Sequence, residues 1–226
     1  IVGAEALTRW IGKDGSLISP VTFIPALEES GFVVTLDKYI WQGVASWLRE
    51  CIDRGLRVVP ISLNVSRVDI LACDVAEHMG ALAAQYNLPP ELMRIEITET
   101  AYTGESEAVD KLTADLHTRG FSTYMDDFGT GQSTLAMLKN VNVDVIKLDR
   151  TFVPTDRDQS RSAQIVSSML EMAQSLHLPV VIEGVETNEQ ANMLLQMGAH
   201  YAQGFLYYRP MQAKDFEALL DGGNKN

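Results

Sequence analysis

The sequence predicts an α/β fold, a (β/α)8-type barrel whose first strand would lie before Ile1. Three observations carry this. Short apolar, β-branched runs alternate with helical stretches along the whole chain, the pattern of a mostly parallel sheet. The 226 residues suit a barrel of about 250 that lacks one strand. Polar residues recur in the apolar runs, where such barrels keep their chemistry at the C-terminal mouth. A doubly wound open sheet is the alternative. It would carry a Gly-rich turn after its first strand, and Glu5-Ala6-Leu7-Thr8-Arg9 is no such turn.

In chain order, Gly3 to Leu7 reads as a first strand. Pro20 to Ser30 reads as a helix, with Ser19 as N-cap, Pro20 at the first helical position and Gly31 as its stop. Leu36, Ile40, Val44, Trp47 and Leu48 recur at helical spacing over Thr35 to Arg54, which Gly55 ends. Val58 to Val65 is the second strand, with Pro60 obscuring its start. A helix over Asp69 to Tyr86 stops before Pro89-Pro90. The third strand is Leu92 to Thr98, followed by a helix over Glu105 to Arg119. Ser122 to Phe128 is the fourth strand, and Ser133 to Asn140 a short helix. Val143 to Asp149, Pro179 to Val185 and Tyr201 to Tyr207 complete seven strands. Helices fall between and after them over Arg161 to Leu176, Asn188 to Met197 and Ala213 to Leu220. The Arg161 helix is expected to bury Ile165, Met169, Met172 and Leu176. The reading is one domain over residues 1–220 with a polar tail, 221–226.

An apolar share of 46% and a charged share of 21% are those of an ordinary globular protein. No run of about 18 apolar residues is present, and the first residues do not read as a signal peptide. Cys51 and Cys73 have no metal-type spacing and read as thiols rather than a disulfide, in keeping with a cytoplasmic location. The net charge of −12 argues against a broad surface for long nucleic acid. A small anionic ligand is still allowed if metals or local cations receive it. Trp10, Trp41 and Trp47 are expected in the core, and the four histidines on helices or loops without ligand spacing.

The chemistry centres on Ser122 to Ser133, STYMDDFGTGQS. A short β-run ends there in adjacent carboxylates, Asp126 and Asp127, followed at once by Gly129-Thr130-Gly131. Burying two acids side by side costs several kcal/mol per charge unless cations neutralise them. Mg²⁺ prefers such oxygen ligands. The bland alternative is an acidic turn in solvent. Other runs carry polar residues too: Glu5, Asn64, Glu96 and Glu99, Lys147 and Asp149, Glu183 and Glu186, and Gln203. Strand alternation turns Glu96 away from Ile95 and Ile97, and Lys147 away from Ile146 and Leu148. Glu5, Asn64, Glu96, Asp126, Asp127 and Glu183 are too many ligands for one hydrated metal, and two metals sharing Asp126 would use them.

These residues resemble a known family. Glu5-Ala6-Leu7-Thr8-Arg9-Trp10 is similar to the signature of the EAL domains, bacterial cyclic di-GMP phosphodiesterases. The resemblance continues through Asn64-Val65-Ser66, Glu96-Ile97-Thr98-Glu99, Asp126-Asp127-Phe128-Gly129-Thr130-Gly131, Lys147-Leu148-Asp149-Arg150, Glu183-Gly184-Val185-Glu186 and Gln203-Gly204-Phe205. Order and spacing agree over nearly the whole chain. The resemblance implies a modified (β/α)8 barrel that hydrolyses cyclic di-GMP to linear pGpG with Mg²⁺ or Mn²⁺, Ca²⁺ failing to support turnover. It implies Glu5, Asn64, Glu96 and Asp126 as ligands of one metal, and Asp126, Asp127 and Glu183 as ligands of a second. Lys147 would hold the attacking water, with Glu183 also cast as general base, and Glu99 would anchor the loop after Asp127. Arg9, Gln203 and Glu186 would lie at the substrate. The family also implies a homodimer, fused to sensory or GGDEF-type domains and in some cases anchored to a membrane on its cytoplasmic side.

The sequence departs from the family pattern at Gln132, where an aromatic residue is common, and at Thr134, where a serine is. The strand expected before Ile1, with its Gln-Pro element, is not in the sequence; a barrel without it would have an unpaired edge. A non-catalytic cyclic di-GMP receptor is the second reading. A barrel enzyme acting on another phosphorylated small molecule is the third.

Overall fold

Among the described residues, helices lie between most of the successive parallel strands, in keeping with the alternating pattern. The structure is a computed structural model that describes residues 1–130, 142–153 and 159–222. The strands are β1 (Ala4–Glu5), β2 (Trp10–Ile11), β3 (Leu17–Ile18), β4 (Ile61–Val65), β5 (Met93–Thr98), β6 (Ser122–Phe128), β7 (Val145–Leu148), β8 (Val180–Ile182) and β9 (Tyr201–Ala202). Among the described residues the helices are α1 (Pro20–Ser30), α2 (Val33–Asp53), α3 (Arg67–Ala72), α4 (Val75–Gln85), α5 (Glu99–Gly104), α6 (Ser106–Thr118), α7 (Gln159–Ser175), α8 (Asn188–Gln196) and α9 (Ala213–Gly222). The sheet order is β1-β4-β5-β6-β7-β8-β9, and β2 pairs with β3. None of the described helices is long and apolar enough to cross a membrane. The helix expected over Ser133 to Asn140, together with Gln132 and Thr134, lies outside the described residues.

The chain forms two compact units. One comprises Ile1–Glu96, Glu107–Ser122 and Met211–Asn226. In it β1 runs parallel to β4, with Glu5 opposite Ser62. The expected strand from Val58 begins only at Ile61. Pro60 has no N–H to give to a ladder, and its carbonyl instead accepts from the Ala4 N–H at 3.0 Å. Helix α1 has the expected bounds, with Gly31 in the left-handed region at φ 75°. Helix α2 buries Val33, Trp41, Ala45, Leu48 and Cys51.

The single helix expected over Asp69 to Tyr86 is two. Ser66 and Asp69 form a capping box that starts α3, the chain extends at Cys73, and Asp74 caps α4 by accepting from the Glu77 N–H at 2.9 Å. Trp10, expected in the core, is 48% exposed. It stands on the β2–β3 hairpin, which the alternating pattern did not reveal, and meets Phe23 edge-on at 5.4 Å. Trp47 is half-buried and donates to Glu217 at 2.9 Å. Both cysteines are free thiols, and burial pushes both above their usual range.

The other unit comprises Ile97–Ser106 and Thr123–Pro210. In it β6, β7, β8 and β9 are parallel neighbours. Helix α5 was not read from the sequence. Helix α7 buries Val166, Leu170 and Ala173, whereas Ile165 and Leu176, expected inside, are 42% and 44% exposed. The buried stripe keeps the expected period but is rotated about the helix by roughly one residue. Thr187 and Gln190 form a capping box at the start of α8.

Candidate active site

Strand β6 sets the first two acids. Regular pleating would send neighbouring side chains to opposite faces. Here the pairing with β7 is interrupted: Met125 faces Ile146 and Phe128 faces Leu148, so β6 carries one extra residue. Asp127 takes up the irregularity with φ 56°, a left-handed conformation that a short polar residue tolerates. The bulge turns both carboxylates to one place. Ligand oxygens of Asp126, Asp127 and Glu183 lie within 4.8 Å of one another. Glu183 reaches them from just past the end of β8, where its N–H donates to the Leu148 carbonyl at 3.0 Å.

Lys147, on β7, is 2% exposed and faces this group. Its Nζ lies 3.0 Å from Asp126 Oδ1 and 2.8 Å from Glu183 Oε1. The approach to Asp126 is an ion pair without hydrogen-bond geometry, so buried Oδ1 has a cation beside it but no hydrogen bond. Three carboxylates therefore face one ammonium. Asp126 is buried, Glu183 half-buried and Asp127 exposed, and acids gathered this closely favour a cation among them. The donor set is all oxygen, partly open to solvent, and has an acceptor to spare. That suits a hard divalent cation.

The backbone after the acids is held from below. Glu99, fully buried at the first position of α5, accepts the Gly129 N–H at Oε2, 2.6 Å away. Gly129 has φ 94°, and a Cβ there would stand 2.5 Å from Phe152 Cε2, so only glycine fits. Thr130 donates its N–H and its hydroxyl to the Asp127 carbonyl at 3.2 and 2.9 Å. The sequence marked a turn here through Gly129 but did not reveal the roles of Thr130 and Phe152.

In the first unit, Glu5 closes β1 and Asn64 stands one residue from the end of β4. Asn64 Nδ2 donates to Glu5 Oε1 at 3.1 Å. Trp41 Nε1 donates to the Asn64 carbonyl at 3.1 Å, fixing its backbone. Glu96, on β5, is 2% exposed. Arg9, Glu186 and Gln203 are exposed. Arg9 donates to its neighbour's carbonyl, Thr8 O, at 2.8 Å, and the Glu186 N–H donates to Gln190 Oε1 at 2.8 Å. The structure thus joins Glu5 to Asn64 in one unit, and Asp126, Asp127, Glu183 and Lys147 in the other.

The family model of the EAL domain matches residues 1–210. The chain belongs to the EAL domain family. Its solved neighbours are EAL domains, whose TIM-barrel-like α/β fold is the fold class of this chain. Against the PaMucR phosphodiesterase solved in complex with c-di-GMP, this EAL domain gives a TM-score of 0.89 at 30% identity, covering 96% of this chain and 87% of that one. It is 34% identical to the cyclic di-GMP phosphodiesterase RocR of Pseudomonas aeruginosa over 98% of this chain. It is 33% identical to the probable cyclic di-GMP phosphodiesterase PdeB of Escherichia coli over 96% of this chain. The chain spans 56% of RocR and 41% of PdeB.

Proposed function

We propose that this EAL domain hydrolyses cyclic di-GMP to linear pGpG with Mg²⁺ or Mn²⁺. The observation that carries the reading is the β6 bulge, which gathers Asp126 and Asp127 with Glu183 around Lys147. The relatives named as cyclic di-GMP phosphodiesterases support the substrate. In this reading Glu5, Asn64, Glu96 and Asp126 would hold one cation, and Asp126, Asp127 and Glu183 the other. Bound there, the cations would neutralise charge at the scissile phosphate and lower the pKa of the attacking water.

The chain's own side chains do the rest. Lys147 Nζ donates to the attacking water and orients it, and the Glu183 carboxylate accepts its proton. Asn64 gives Nδ2 to Glu5, which leaves Oδ1 as the atom for a cation. Glu99 acts through Gly129, holding the backbone that presents Asp127. Arg9, Gln203 and Glu186 contact the dinucleotide. An acidic protein can accept this dianion because its acids are covered by cations where it binds. The proposal extends to a homodimer in the cytoplasm, fused to sensory or GGDEF-type domains, some such proteins being membrane-anchored. That the chain spans only part of its curated relatives supports the fusion.

Incubation with cyclic di-GMP and Mg²⁺ or Mn²⁺ is the test, with pGpG as the expected product. Binding without turnover would make the domain a receptor, and no binding would end the substrate assignment. Ca²⁺ alone is expected to leave cyclic di-GMP intact, being larger and looser in coordination than Mg²⁺; full turnover in Ca²⁺ would contradict the two-metal reading.

A further inference from the structure

Strand β7 ends between the two segments that carry Asp127 and Glu183, and the turn that follows it touches both. Leu148, 1% exposed, pairs with Phe128 of β6 and with Ile182 of β8, the last partners in either register. Beyond it the chain stops being a strand. Asp149 accepts the Thr151 N–H at Oδ1, 2.9 Å away, and so starts a 3₁₀ turn, Arg150–Phe152. The Phe152 N–H donates to the Asp149 carbonyl and the Val153 N–H to the Arg150 carbonyl, both at 3.1 Å. Val153, 4% exposed, anchors the end of the turn.

Two glycines make room for this turn. Arg150 lies against Gly184, the residue after Glu183: a Cβ on Gly184 would collide with Arg150 Cβ and stand 3.2 Å from its Cα. Phe152 lies against Gly129, two residues after Asp127, where a Cβ would meet ring atoms Cε2 and Cζ at 2.5 and 2.6 Å. Both glycines have positive φ, 72° at Gly184 and 94° at Gly129, so conformation and space exclude a side chain together.

Both neighbouring segments are tied elsewhere as well. The Gly129 N–H is held by Glu99. Val185, next after Gly184, donates its N–H to the Gln203 carbonyl at 3.1 Å and accepts the Leu206 N–H at 3.0 Å. The turn is therefore packed between two segments that are themselves held. Lys147, three residues before Arg150, draws Asp126 and Glu183 together through its ammonium. The turn limits how closely their segments approach. Close-packed contacts of this kind transmit a displacement instead of absorbing it.

We propose that the turn Arg150–Phe152 is a spacer that sets the separation of Asp127 and Glu183, with Phe152, Gly129 and Gly184 as positioning residues for the acids around Lys147. That a cation binds between those acids rests on the phosphodiesterase reading; the spacing itself does not. Mg²⁺ demands near-ideal octahedral geometry, whereas Ca²⁺ accepts looser and more variable coordination. A spacer therefore matters more for Mg²⁺ than for Ca²⁺.

The experiment uses the full chain with Phe152→Ala, Phe152→Leu, Gly184→Ala and the double variant Gly184→Ala with Arg150→Gly. Calorimetry gives Mg²⁺ and Ca²⁺ affinities. NMR in a chelator follows proton exchange of the Lys147 ammonium. Phe152→Ala and Gly184→Ala should each weaken Mg²⁺ binding about tenfold, as loss of support behind a ligand does, and Ca²⁺ binding much less. Lys147 exchange should quicken several-fold in both. Arg150→Gly removes the atom that the new methyl strikes, so the double variant should recover part of the Mg²⁺ affinity lost in Gly184→Ala. A Phe152→Ala protein with a lower urea midpoint but wild-type Mg²⁺ affinity would show that the ring only packs, and overturns the spacer. Equal losses of Mg²⁺ and Ca²⁺ affinity overturn it too, as does wild-type Lys147 exchange in every variant. Should Phe152→Ala not fold, Phe152→Leu, which keeps more of the bulk, carries the same comparison. A wild type that binds neither cation would sink the phosphodiesterase reading alone, because the Lys147 exchange is measured without metal and still decides the spacer.

Discussion

Replacing Lys147 with methionine keeps the volume of the side chain and deletes its charge. The ammonium is 2% exposed and lies 2.8 Å from Glu183 and 3.0 Å from Asp126. Removing one partner of a buried ion pair costs about 3–5 kcal/mol, because the other charge stays behind unpaired. The Asp126 and Glu183 side chains are 12% and 18% exposed, so some water reaches them. That places the loss at the low end, about 3 kcal/mol. Two carboxylates lose their cation at once, with Asp127 still nearby, so the loss should not fall much below this. Urea unfolding at neutral pH in a chelator measures it, read as a lower midpoint at unchanged slope. Adding Mg²⁺ should recover part of the deficit, since cations bound only by the folded state stabilise it. A loss under about 1 kcal/mol, or a deficit indifferent to Mg²⁺, would refute the account of Lys147 as the cation that the acid group depends on.

The other predictions test the neighbouring parts. Glu99→Gln keeps an acceptor for the Gly129 N–H but loses the charge that strengthens it, so stability should fall by about 1 kcal/mol with a larger loss of turnover; unchanged turnover would remove Glu99 from the loop. Glu5→Ala should abolish pGpG formation while circular dichroism reports an intact fold, because the residue is only half-buried at a strand end. A wild-type rate would take Glu5 out of the metal site. The last prediction concerns pH. Burial above all raises the Asp37 carboxyl from 3.8 to about 8 in the folded chain, so its contribution is fully present below 3.8 and is lost as pH rises through about 8. The thermal midpoint of the wild type should therefore fall over that interval relative to Asp37→Asn, and parallel curves would contradict it.

Elements bounded by local rules were legible in the sequence. Helix α1 runs from Pro20 to Ser30 as read, because proline at its first position and glycine after its last act through the chain's own backbone. Strand β6 likewise has the expected ends, Ser122 and Phe128. The misplaced elements depended on competition or on partners. The break between α3 and α4 follows from Asp74, whose side chain takes up the Glu77 N–H and so favours a new start over a continuous helix. The signal was present as Asp74-Val75-Ala76-Glu77 but was outweighed by the helical periodicity on either side. In α7 the period of the apolar residues was right and the buried face was not, since only the neighbouring elements decide which stripe of the helix is covered. The β2–β3 hairpin, two residues per strand, is too short for alternation to register.

The chain by itself determined the inventory of the site: which acids, which lysine, and their places at the ends of apolar runs. It also determined the family, because the motif order is a property of the sequence. What the tertiary structure alone decided is convergence within each unit. Asp126 and Asp127 are adjacent, and a regular strand would point them apart; the extra residue against β7 and the left-handed turn at Asp127 bring them to Glu183, some sixty residues away in the chain. Pleat and period follow from each residue's own backbone, whereas a bulge exists only as a mismatch with a partner strand, and one strand's sequence does not contain its partner.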